Sequence, residues 1–134
     1  MKLKKYQIGD KEYQFKSNAL VPLLFYEEFG IDIFKEIEEI SNYISMQQKI
    51  NADFKKQEES GKEVEYVDES LNIRQQEILV KLAYIFNKNA ERFETSYDEW
   101  IENLGLTEFA LMQNIAVSLW IEENKTTVKA KKNK

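Results

Sequence analysis

The chain has 134 residues and a net charge of −5, with no cysteine, no histidine and a single proline. Without cysteine there is no disulfide, thiolate nucleophile or thiolate zinc site, and without histidine no imidazole acid, base or ligand. Residues 125–134 hold five lysines and no acid, which leaves 14 basic against 24 acidic groups over residues 1–124, a body that repels phosphate backbones.

Residues 3–16 predict a β-hairpin. Tyr6 and Ile8 alternate with polar residues, Gly9-Asp10-Lys11-Glu12 supplies turn chemistry, and Tyr13 and Phe15 resume the alternation. A four-residue loop would set Ile8 opposite Tyr13, whereas a two-residue Gly-Asp turn would keep the same apolar face with shifted pairs. Ser17 or Asn18 is placed to cap a first helix, with Pro22 in or near its first turn. Leu20, Leu23, Leu24 and Phe25 feed a stripe ending near Phe29, and Gly30 is a left-handed stop. Asp32 caps a second helix, whose Ile33, Phe34, Ile37, Ile40 and Ile44 follow helical spacing, with Tyr43 and Met46 widening the stripe.

Residues 53–69 contain ten charged residues out of 17 and read as a mobile loop or a solvated extension, with Val64, Tyr66 and Val67 as anchors if a partner orders it. A third helix is expected from Ser70 to Asn87, turning Leu71, Ile78, Leu79, Leu82, Ile85 and Phe86 inward. Ser96 and Glu99 form the two halves of a capping box, followed by Trp100, Ile101 and Leu104, with Gly105 closing the helix. Thr107 is the expected cap of a last helix. Between Phe109 and Ile121 only Gln113, Asn114 and Ser118 are polar, so this helix is expected at the centre of the core or partly under another chain.

No phosphate loop, dinucleotide fingerprint, nucleophile elbow or calcium loop occurs. The doublets Glu27-Glu28, Glu38-Glu39, Glu58-Glu59 and Glu122-Glu123 are not carboxylate dyads, because neighbours on a helix point about 100° apart. No catalytic, cofactor-binding or metal-ligating residue is singled out, and a non-enzymatic protein is expected. There is no apolar run of membrane-spanning length and no apolar stretch of a signal peptide behind the basic N-terminus, so a cytosolic protein is expected.

Four segments carry a resemblance: Phe15-Lys-Ser-Asn18, then Tyr26-Glu-Glu-Phe29-Gly30-Ile-Asp32-Ile33, then Leu82-Ala-Tyr-Ile-Phe86, then Ser96-Tyr-Asp-Glu-Trp100-Ile-Glu-Asn-Leu104. Behind an N-terminal hairpin, and in this order, they resemble the tail assembly chaperones of long-tailed bacteriophages and prophages of Gram-positive bacteria. The resemblance covers roughly residues 6–121 and is weakest over residues 51–70. It implies a non-enzymatic factor that binds the tape measure protein, keeps it soluble and brings tail tube subunits to it. It also implies action in the host bacterial cytoplasm, absence from the finished virion and, in many members, a longer frameshifted form. The lysine-rich stretch Lys129-Ala-Lys131-Lys132-Asn-Lys134 would suit a slippery run.

The expectation is therefore a mainly α fold, a bundle of about five helices with an N-terminal β-hairpin. Residues 1–124 form one domain, residues 51–70 a mobile charged segment and residues 125–134 a disordered lysine-rich tail. Phe29, Gly30, Asp32, Ser96, Glu99 and Trp100 are expected to determine the fold. Partner contacts and self-association are expected at Tyr66, Val67, Leu111, Met112, Ile115, Leu119, Trp120 and Ile121. A head–tail connector or completion protein, or a small helical regulator or adaptor, is the alternative, and neither a membrane nor a nucleic acid is an expected partner.

Overall fold

A computed structural model describes residues 2–42 and 71–132, with side chains over residues 3–42 and 71–122. Strands β1 (Lys2–Ile8) and β2 (Lys11–Ser17) form an antiparallel hairpin with Ile8 opposite Lys11, Tyr6 opposite Tyr13 and Lys4 opposite Phe15. The turn is thus the two-residue Gly9-Asp10 form. Gly9 has φ +64° and Asp10 stays at negative φ, the sign pattern of a type II′ turn, whose twist matches the strands it joins. One face of the hairpin is apolar: Ile8, Tyr13 and Phe15 are buried, and the Phe15 ring stands edge-on to Tyr6 at 5.7 Å.

Helix α1 (Leu20–Phe29) follows, and Asn18 Oδ1 accepts from the Leu20 N–H at 3.0 Å. Gly30 closes the helix at φ +66°, donating its N–H to Tyr26 O at 2.7 Å. The buried residues of α1 are Val21 and Phe25, four apart, so Leu23 lies about half a turn away and is 66% exposed, contrary to the expected stripe. Helix α2 covers residues 33–42 of the described chain, and Asp32 Oδ1 caps it through the Phe34 N–H at 3.0 Å. Ile33, Ile37 and Ile40 are buried, whereas Phe34, rotated about 100° from Ile33, is 58% exposed. Ile44, Tyr43 and Met46 lie outside the described residues, as do Val64, Tyr66, Val67 and residues 51–70.

Helix α3 (Ile73–Glu91) starts from a reciprocal capping box between Asn72 and Gln75 and ends at Arg92, which adopts φ +55°. Every residue from Val80 to Phe86 except Lys81 is wholly excluded from solvent. This helix, which packs against β2, α1, α4 (Tyr97–Glu102) and α5 (Leu106–Lys132), is the centre of the core. The last helix, expected in that position, is one-sided. Met112, Ile115, Ala116 and Leu119 are buried at three- and four-residue spacing, while Leu106, Leu111 and Ile121 are exposed.

Two further boundaries differ from expectation. The Phe109 N–H donates to Gly105 O at 3.0 Å, so Gly105 occupies the cap of α5 and Thr107 sits inside its first turn. Helical backbone also continues past residue 124 to Lys132, in keeping with the good helix propensity of lysine and alanine and with cations favoured near a helix C-terminus. Among the described residues the fold is five helices preceded by a two-stranded hairpin, as the sequence predicts.

The hairpin is fastened to α3 by polar groups as well as by its apolar face. Asn87 Nδ2 donates to Gln14 O at 2.8 Å and Asn89 Nδ2 to Lys16 O at 3.0 Å, while the Gln14 N–H donates to Glu91 Oε2 at 3.0 Å. These three side chains stand where a third strand would pair, and they close the outer edge of β2.

Candidate interaction surfaces

Three of the four segments that carry the resemblance meet around Tyr84 of α3. Its ring centroid lies 6.1 Å from Phe29, 5.5 Å from Tyr97, 5.3 Å from Trp100 and 5.8 Å from Phe93. Phe29 is in turn 5.0 Å from Phe25 and 5.4 Å from Tyr97. Ser96 places Tyr97 and Trp100 there by capping α4, its Oγ accepting from the Glu99 N–H at 3.2 Å. This is one half of the expected capping box, and no reciprocal bond from Glu99 to Ser96 is present among the described residues.

Two polar atoms of this cluster, the Tyr84 hydroxyl and the Trp100 indole nitrogen, are satisfied internally. Tyr84 donates its hydroxyl proton to Thr95 O at 2.7 Å, and Trp100 Nε1 donates to Asn87 Oδ1 at 3.0 Å. Asn87, 1% exposed, also donates to Gln14 O and to Glu91 Oε2. A single side chain therefore links α4, α3 and β2. Sequence reasoning missed it. The available sign was a polar residue four positions after Ala83, on a stripe that is otherwise apolar.

Outside the cluster, a cleft of about 300 Å³ is lined by Glu28, Phe29, Glu77, Lys81, Ser96, Tyr97 and Asp98. The Lys81 ammonium stands 4.8 Å from the Phe29 ring centroid and 5.7 Å from that of Tyr97, and 3.8 Å from Glu77. Lys88 pairs with Glu28 at 2.9 Å, which raises its pKa. Burial, reinforced by Glu77 and Asp98, holds the Tyr97 phenol far above its ordinary range. Burial also raises Tyr84 and Tyr13. These tyrosines keep their protons at neutral pH, so the cleft presents no phenolate to act as base or nucleophile. Among the described residues no group of three or more potential ligands could hold a metal ion.

Of the residues expected to meet a partner, Met112, Ile115 and Leu119 are buried inside the core at 0%, 7% and 1% exposure. Leu111 and Ile121 are exposed, and Trp120 is half-buried with its ring 5.6 Å from Phe34. The pair borders a notch of about 200 Å³ shared with Ala19, Val21 and Pro22. The exposed apolar residues Leu20, Leu23, Tyr26 and Phe34 belong to the first two helices, where no partner contact was expected.

Charge is divided between elements. Residues 2–17 hold five lysines against two acids, residues 18–42 one lysine against six acids, and residues 71–122 four basic against eight acidic groups. No helix among the described residues is long and apolar enough to cross a membrane. Comparison of the chain with known protein families, curated proteins and solved structures finds no match.

Proposed function

We propose that this protein is a non-enzymatic tail assembly chaperone of a long-tailed bacteriophage or prophage, binding the tape measure protein, keeping it soluble and bringing tail tube subunits to it. The observation that supports the reading best is the convergence of Phe29, Tyr84, Tyr97 and Trp100, from three of the four resembling segments, in one cluster. These residues share a role in the fold, packing on one another across three helices. The client surface is then elsewhere, on apolar side chains left at the surface of an acidic body. Leu20, Leu23, Phe34 and Ile121 are such residues, and Phe34 with Trp120 shapes the notch beside α1. Acidic charge keeps the coat soluble while exposed apolar groups engage an apolar helical client.

The test is co-expression with a tape measure protein encoded beside this chain's gene. The soluble fraction of the tape measure protein rises with the chain present, and a Leu23→Ser/Phe34→Ser variant of native stability loses most of that effect. Failure of the wild-type chain to solubilise or co-purify with it overturns the proposal. So does stoichiometric presence of the chain in purified virions, which would make it a structural component.

A further inference from the structure

The two edges of the hairpin differ. On β2, Gln14 turns both its N–H and its C=O to the side chains of α3, and Lys16 turns its C=O the same way. In an antiparallel ladder, residues directly opposite one another either exchange both bonds or direct both groups outward. Gln14 and Lys16 stand opposite Lys5 and Leu3, and the alternation continues to Glu12 opposite Gln7. The N–H and C=O groups of Leu3, Lys5 and Gln7 therefore point to the free edge of β1. No strand among the described residues pairs with it.

A groove opens onto this edge. It encloses about 280 Å³ between Tyr6, Gln7 and Ile8 of β1 and Leu111, Asn114, Ile115 and Ser118 of α5. Gln7 belongs both to the groove wall and to the residues with outward peptide groups. A strand added beside β1 would carry alternate side chains over α5, where the 41%-exposed Leu111 offers an apolar contact.

Charge selects the occupant. Lys2, Lys4 and Lys5 make β1 basic, with Lys4 already paired with Glu122 of α5 at 3.8 Å, while α1, α2 and α4 are acidic and α3 and α5 each carry one net positive charge. Two copies paired through this edge would bring six lysines onto adjacent strands, and like charges directly opposite are destabilising. An acidic strand meets Lys2 and Lys5 favourably.

We propose that the free edge of β1 docks an extended acidic segment of another protein by strand addition, pairing with Leu3, Lys5 and Gln7 and seating an apolar side chain in the β1–α5 groove. The proposal rests on the sheet edge and stands whether or not the protein is a tail chaperone.

The probe is a capped peptide of alternating glutamate and valine, about seven residues long, added to the isotopically labelled full chain. On saturation, amide hydrogen exchange slows roughly tenfold or more at Leu3, Lys5 and Gln7, and stays unchanged at Tyr6 and Ile8, which already pair with β2. Two further peptides, N-methylated at every valine or at every glutamate, then differ in affinity by roughly tenfold or more, because only one set of N–H groups faces β1. Lys5→Pro removes an outward N–H and leaves the β1–β2 ladder intact, so it binds roughly tenfold more weakly than Lys5→Gln. Absence of peptide binding, equal affinity of the two methylated peptides, or the same exchange pattern with polyuridylate overturns the proposal. A dimer of the chain alone that Lys5→Pro abolishes also overturns it, in favour of a second copy. If Lys5→Pro fails to fold, the methylated pair decides.

Discussion

Replacing Asn87 by alanine tests how far one polar side chain holds the hairpin, α3 and α4 together. The residue is 1% exposed, accepts from Trp100 Nε1 and donates to Gln14 O and Glu91 Oε2. Truncation leaves the indole N–H and the Gln14 carbonyl without this partner, while Glu91 lies at the surface and recovers water. Each buried polar group left unsatisfied costs about 1–3 kcal/mol, so the expected loss is about 2–5 kcal/mol. That is a large part of the 5–15 kcal/mol typical of a folded domain. Urea unfolding followed by far-ultraviolet circular dichroism measures it. With a slope of about 1.5 kcal/mol per molar, the midpoint falls by roughly 1.5–3 M. Trp100→Phe removes the donor from the other side, so the double variant should be less destabilised than the two singles together, by about 1 kcal/mol or more. A loss below about 0.5 kcal/mol for Asn87→Ala, or strict additivity of the pair, would refute the reasoning.

Three further outcomes follow from the same contacts. Met112→Ala should cost about 2–5 kcal/mol in urea unfolding, because the side chain is fully buried, whereas Leu111→Ala one position earlier should cost under about 1 kcal/mol. Gly30→Ala meets no steric obstacle but must hold φ +66°, so a loss of about 1–2 kcal/mol, seen as a lower Tm, is expected. With the pKa values of Tyr84 and Tyr97 raised in the folded protein, the folded state holds these protons more tightly than the unfolded chain. Their contribution to stability is complete below about pH 10 and declines as the pH rises above it toward the folded values. Phenolate absorbance read alongside circular dichroism should show part of the seven tyrosines ionising only as the helices melt. One transition near pH 10 with native dichroism would contradict it.

Elements written in short-range chemistry were legible in the sequence. Alternation marked both strands, Gly30 and Asp32 marked the boundary between α1 and α2, and Ser96 marked the start of α4, because a cap or turn involves residues within four positions of each other. Which helix occupies the centre was not legible. Phe109–Ile121 carries three polar residues in 13, and α3 carries lysines and asparagines among its apolar residues, yet α3 is the buried one. Hydrophobicity counts a buried asparagine as a cost, and only the arrangement of β2 across α3 shows that hydrogen bonds meet it for Asn87 and for the Nδ2 of Asn89, whose Oδ1 stays buried without a partner among the described residues. The candidate surfaces followed the same division. Expectations placed on the last helix reached Leu111 and Ile121, which are exposed, and also Met112, Ile115 and Leu119, which are buried.

Composition alone excluded thiolate and imidazole chemistry and placed the acidic and basic charge along the chain, since those follow from residue type and order. Local spacing determined the hairpin, the caps and the order of the helices. Tertiary structure decided what those elements face: the motifs at Phe29 and Trp100 converge on Tyr84, Phe34 comes to lie on Trp120, and one edge of the hairpin is closed by α3 while no strand among the described residues pairs with the other. The reason is range. A cap or turn is completed within a few residues, whereas burial and edge pairing depend on partners such as Gln14 and Asn87, 73 residues apart in the chain.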